Sequence, residues 1–115
     1  MARICVYLGS REGNSPAFRQ ATNKLGRTLA ERGHTLVYGG ARIGLMGELA
    51  NSVLEAGGNV IGVMPEHLVE REQAHFGLSE LIRVRNMHER KATMAANADA
   101  FIALPGGIGT LEELF

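Results

Sequence analysis

Arg90-Lys91 and Glu112-Glu113 are the residues of this 115-residue chain whose types and spacing could do chemistry together. A carboxylate beside a guanidinium is the pair needed to hydrolyse a sugar-to-base bond. The carboxylate orients water or steadies an oxocarbenium-like sugar, and the arginine positions a phosphate or that carboxylate. Between the two pairs runs Pro105-Gly106-Gly107-Ile108-Gly109-Thr110, whose glycines let backbone amides close on an anion. Thr110 opens a helical pattern whose unpaired amides and positive dipole end favour phosphate. Thr110-Leu-Glu-Glu113 equally fits a capping box, in which the Glu113 carboxylate reaches back to the Thr110 amide. The two roles compete for the same amides, and the spacing leaves both open.

Other chemistries fit less well. No Gly-Lys-Ser/Thr follows the last glycines at Walker spacing, and the positions after Gly109 are not those of a dinucleotide fingerprint, which argues against a triphosphatase and a nicotinamide dehydrogenase. His34, His67, His75 and His88 show no metal-ligand spacing with carboxylates or with Cys5, so no metal is expected. Cys5 lies inside an apolar run and reads as a small core side chain. A pyridoxal-phosphate enzyme would need a Schiff-base lysine. Only Lys24 and Lys91 are available, and no aspartate is placed to pair with the pyridine nitrogen, so no cofactor is expected.

The elements that must position these groups alternate. Arg3 to Leu8 is a continuous apolar run, as in a strand covered on both faces. Ser15-Pro16 then starts a helix with Phe18, Ala21, Leu25 and Leu29 at helical spacing, closed by Gly33. Strands are expected over Thr35–Tyr38, Asn59–Met64, Leu81–Val84 and Ala100–Leu104, with a helix from about Leu45 that ends before Gly57-Gly58 and another over Glu89–Asn97. Glu66 to Glu80 reads as loop with a short helix. The pattern predicts α/β architecture: a doubly wound, Rossmann-like parallel sheet in one nucleotide-binding domain spanning 1–115. A helix beginning at Thr110 and stopping at Phe115 could not cover the last strand, so the domain is expected to be truncated after the fifth strand.

In such a sheet ligands bind beyond the carboxyl ends of the strands. Gly9-Ser10, Gly39-Gly40 and the Gly106 to Thr110 loop all fall there. Glycine makes up 15 of 115 residues, about twice its usual share. Arg90-Lys91 is expected in the first turn of its helix, where cations oppose the macrodipole. An anionic partner accounts for that placement better than surface solvation does.

Apolar residues at 45% suffice for a core, and basic and acidic residues balance at 12 each, giving no positive field to attract nucleic acid or an anionic membrane. The first apolar stretch is too short for a signal or membrane segment, so the expected location is cytoplasmic.

Tyr38-Gly-Gly-Ala-Arg-Ile-Gly-Leu-Met-Gly47, Met87-His-Glu-Arg-Lys91 and Pro105-Gly-Gly-Ile-Gly-Thr-Leu-Glu-Glu113 together resemble the Lonely Guy proteins, cytokinin-activating phosphoribohydrolases long labelled lysine decarboxylases. The similarity runs from Val6 to the last residue. It implies cleavage of the N-glycosidic bond of a cytokinin riboside monophosphate or of AMP, releasing free base and ribose phosphate. It also implies that Arg90 and Glu113 are the catalytic pair. Lys91, Gly106, Gly107, Ile108, Gly109, Thr110 and Glu112 would line the nucleotide, and Glu72 would be a substrate-contacting acid. The resemblance further implies a homodimer or larger homo-oligomer. Ala41 departs from the pattern where many members carry a third glycine. Related proteins of the same fold carry a molybdenum cofactor and hydrolyse nothing, which is the alternative reading.

Overall fold

The computed structural model of the chain describes residues 1–7, 16–71 and 73–103. Its strands are β1 (Arg3–Tyr7), β2 (Thr35–Tyr38), β3 (Asn59–Pro65), β4 (Glu80–Val84) and β5 (Ala100–Ala103), and its α-helices are α1 (Pro16–Glu31), α2 (Gly44–Glu55) and α3 (Met87–Ala96). The strands form one parallel sheet in the order β4-β3-β2-β1-β5. The chain builds outward from β1 to β4, then returns through α3 to place β5 on the other side of β1. The order therefore reverses at the β1/β5 pair, where Tyr7 and Ala103 are register partners.

The period of two along each strand divides the core. Val6, Leu36, Tyr38 and Val60 face the layer of α1 and α2, packing with Leu29, Leu49 and Val53. Cys5, Tyr7, Val37, Ile61 and Val63 face the opposite layer, where Met94 of α3 covers them. Strands buried on both faces have no polar side to show, which is why they read as unbroken apolar runs.

Both long helices of the first layer end the same way. In α1 the Gly33 amide donates to Ala30 O at 3.0 Å and the His34 amide to Leu29 O at 2.9 Å, with Gly33 at φ +75°. In α2 the Gly57 and Gly58 amides donate to Leu54 O and Val53 O in the same pattern, with Gly57 at φ +83°. These are Schellman ends, and they satisfy carbonyls that the helix itself leaves open.

The described part of the connection between β3 and β4 is loop with one short 3-10 helix, Glu66–Leu68, as the sequence led one to expect. Its apolar side chains, Leu68, Val69 and Ala74, seal Met64. One expectation changes. Helix α3 starts at Met87 rather than Glu89, because Asn86 caps it: the Asn86 side chain accepts from the Glu89 amide at 2.8 Å. The outer ends of the predicted first and fifth strands, Leu8 and Leu104, and the helix predicted from Thr110 lie outside the described residues.

Candidate active site

Arg90 is the chemistry-bearing residue that the described structure places most firmly. It sits at the fourth position of α3, on the face turned toward the sheet, and only 8% of its surface is exposed. Its Nε donates to Val63 O in β3 at 3.0 Å, and its Nη2 donates to Gly39 O, just beyond β2, at 2.6 Å. Its Nη1 lies 3.8 Å from Met87 Sδ, one helical turn back. A buried guanidinium is costly unless its donors are met by acceptors. Here the carboxyl ends of two parallel strands supply them, and charge-assisted bonds of this kind are the stronger sort. Arg90 is the fourth residue of α3, and the carbonyls at the ends of β2 and β3 help to hold it there. Lys91, the next residue, is exposed.

The glycine motif after β2 is shaped around that arginine. A Cβ on Gly39 would collide with Arg90 Nη2, so any larger residue there would push the guanidinium away. Gly40 has φ +90°, a region side chains rarely adopt, and its Cα lies where a Cβ on Gly62 would come within 2.8 Å. Ala41 is buried against Met64 and Ala74, so the methyl that stands where many Lonely Guy proteins carry a third glycine packs into this small cluster. Below it the Tyr38 hydroxyl donates to Ala41 O at 2.6 Å, and burial pushes that phenol far above its ordinary range.

The N-terminus of α3 is fixed by a second device. Glu89 accepts from the Arg85 amide at 3.3 Å and from Arg85 Nε at 2.9 Å, while the Glu89 amide donates to Asn86. The Arg85 guanidinium holds the Glu89 carboxyl below the usual carboxylate range. Sequence reasoning looked for a capping box at Thr110–Glu113. A related arrangement operates at Asn86–Glu89, where the Asn-x-x-Glu spacing was the available signal.

Of the other site residues expected from the sequence, Glu72 and the run Gly106, Gly107, Ile108, Gly109, Thr110, Glu112 and Glu113 lie outside the described residues, as does Gly9-Ser10. What the structure brings together is Arg90, the Gly39-Gly40 turn and the carboxyl end of β3. Sequence reasoning missed Val63 and Gly39 as carbonyl partners, since backbone acceptors leave no side-chain signature. Lys24, one of the two Schiff-base candidates, is exposed on α1, in the opposite layer from α3. Among the described residues no three His, Cys, Asp or Glu side chains gather in a way that could hold a metal ion, and no helix is long and apolar enough to cross a membrane.

A five-stranded parallel sheet with helices on both faces, and an order that reverses beside β1, defines a doubly wound, Rossmann-like α/β protein. Residues 46–115 match the model of the family described as Possible lysine decarboxylase, and the chain belongs to that family. The resemblance to the Lonely Guy proteins holds along nearly its whole length. It is 54% identical over 112 residues to cytokinin riboside 5'-monophosphate phosphoribohydrolase LOG of Oryza sativa subsp. japonica, a match covering 97% of this chain and 46% of the rice protein. The chain spans about half the length of the curated relatives it matches. Among solved structures, the X-ray structure of the structural-genomics target TM1055 superposes with a TM-score of 0.81 at 31% identity, covering 99% of this chain and 66% of that one. The molybdenum cofactor carrier protein of Chlamydomonas reinhardtii gives a TM-score of 0.81 at 26% identity, covering 97% and 67%.

Proposed function

We propose that this protein is a phosphoribohydrolase. It hydrolyses the N-glycosidic bond of a cytokinin riboside 5'-monophosphate, of AMP, or of both, to free base and ribose 5-phosphate. The observation that carries the reading is Arg90, held in the wall of the crevice by Gly39 O and Val63 O within a family whose relatives bear that name. Water adds to the anomeric carbon, the bond to the base nitrogen breaks, and the base leaves with a proton. Glu113 is the carboxylate that orients the water or steadies the oxocarbenium-like sugar, and Arg90, unable to swing, orients that carboxylate or the phosphate. Lys91, Gly106, Gly107, Ile108, Gly109, Thr110 and Glu112 line the nucleotide, and Glu72 contacts it. The domain is a single nucleotide-binding unit, acting in the cytoplasm as a homodimer or larger homo-oligomer.

The test is release of free base from AMP and from isopentenyladenosine monophosphate, followed by chromatography. Glu113→Ala is expected to abolish release while leaving the melting temperature nearly unchanged. A variant that keeps its rate and melts several degrees lower would instead make Glu113 a capping residue. The fold shared with the molybdenum cofactor carrier favours a second reading, a carrier that binds and does not hydrolyse. Nucleotide binding with no ribose phosphate from any substrate would establish it.

A further inference from the structure

The segment joining β3 to β4 is clamped onto the glycine turn beside Arg90. The His75 amide donates to Gly40 O at 2.8 Å, the Arg42 amide donates to Gln73 O at 3.0 Å, and Ala41 and Ala74 form an antiparallel bridge. The Arg42 side chain also bonds the Gln73 side chain. Gln73 holds φ +53°, a conformation non-glycine residues seldom take, so its neighbours must keep the segment in place. The His75 ring provides the tie to α2. Its Nδ1 accepts from the Gly77 amide at 3.0 Å, which leaves the ring proton on Nε2, 2.7 Å from Asn51 Oδ1.

We propose that His75, as a neutral imidazole, is a positioning residue: its ring fastens the β3–β4 connection to α2, which keeps its own amide on Gly40 O, next to the Gly39 carbonyl that orients Arg90. The proposal rests on the hydrolase reading for its effect on turnover. The clasp itself does not depend on it.

The arrangement tolerates one protonation state. A proton on Nδ1 would face the Gly77 N–H, replacing a hydrogen bond by two opposed donors. Among the described residues the groups around the ring do not compensate, since α2 presents the neutral Asn51 amide and the glycine turn presents the Arg42 cation. Burial first, then the Arg42 charge, hold the ring below the ordinary histidine range. Acidification therefore opens the clasp, frees the Gly40 carbonyl from the His75 amide and loosens the turn that Gly39 shares with Arg90.

The experiment is an NMR pH titration of the full chain, paired with base release from AMP over the same range. Three signals are followed: the His75 ring nitrogens, hydrogen exchange of the His75 amide, and the Arg90 Nε–H that bonds Val63 O. All three are expected to change at one midpoint, with kcat falling on the order of 10- to 100-fold there. Asn51→Asp, whose new carboxylate favours the charged ring, should move every midpoint to higher pH. His75→Gln, which does not titrate, should remove the fall in kcat at the His75 midpoint. An Arg90 signal that ignores the His75 titration, or midpoints that stay put in Asn51→Asp, would overturn the proposal. Should no base be released at any pH, the hydrolase reading fails, and the ring, amide and Arg90 signals still decide the clasp.

Discussion

Arg90 Nη2 lies 2.6 Å from Gly39 O, a hydrogen bond between residues 51 positions apart that ties the first turn of α3 to the end of β2. Gly39→Ala tests it directly. The added methyl would occupy the space of the guanidinium, which must then leave a fork already bonded to Val63 O. On the proposed hydrolase reading, base release should fall on the order of 10- to 100-fold, because a displaced guanidinium loses its geometry before the fold is lost. Arg90→Lys should fail as well, since an ammonium on a flexible stem cannot reproduce a planar fork spanning two carbonyls. A Gly39→Ala variant with full activity would show that the bond is incidental to turnover.

Asn86→Ala should cost about 1 kcal/mol, the usual loss for an N-cap whose side chain accepts from the third helical residue. That corresponds to a fall in melting temperature of about 4 °C for a domain of this size. Because Arg90 stands one turn further on, the frayed helix should also release part of its hold on Val63 O. A loss in kcat without a matching rise in KM would register this. Asn86→Asp should keep the cap and therefore the rate.

The centre of the sheet was legible because β1, β2 and β3 are largely buried: runs such as Arg3–Tyr7 and Asn59–Pro65 carry an apolar signal stronger than any turn chemistry around them. The helix ends at Gly33 and Gly57 were legible for a related reason, as positive φ restricts the residue type. The start of α3 was misplaced by two residues because Met87 and His88 look like loop until Asn86 is recognised as their cap. In the site, Arg90 stood out by motif, while its partners did not. Gly39 O and Val63 O belong to the backbone, and among the described residues His75 reaches the site through its amide on Gly40 O while its ring meets Asn51 and the Gly77 amide. Long-range pairings of this kind are set by topology rather than by local spacing.

Gly26→Ala separates helix propensity from packing. In an isolated helix the change would stabilise by about 1 kcal/mol. Here a Cβ would come within 2.6 Å of Ser52 Cβ and 3.0 Å of Leu49 O, where α1 packs on α2 and Ser52 Oγ bonds Asn23 Oδ1 at 2.8 Å. Neither obstacle is the mobile tip of a side chain, so the helices must separate, at a cost of about 1–3 kcal/mol. Net destabilisation in denaturant titration is expected, and Ser52→Gly in the same chain should recover part of it. Additive effects of the two changes would mean that Gly26 and Ser52 do not share a contact.

Glu89 gives the helix start a pH dependence whose sign follows from Arg85. Because Arg85 holds the folded carboxyl below its ordinary value of 4.5, the folded state binds fewer protons there than the unfolded chain does. The contribution is therefore complete above about pH 4.5 and is lost as pH falls through the folded value. Glu89→Gln should flatten the acid side of the melting-temperature profile relative to the native chain while changing little at pH 7 beyond the loss of one exposed ion pair. Raising the salt concentration should shrink the difference between the two profiles, since Arg85 is solvent-exposed. Parallel profiles below pH 4.5 would show that the Arg85–Glu89 contact is not maintained in solution, leaving Asn86 alone to cap α3.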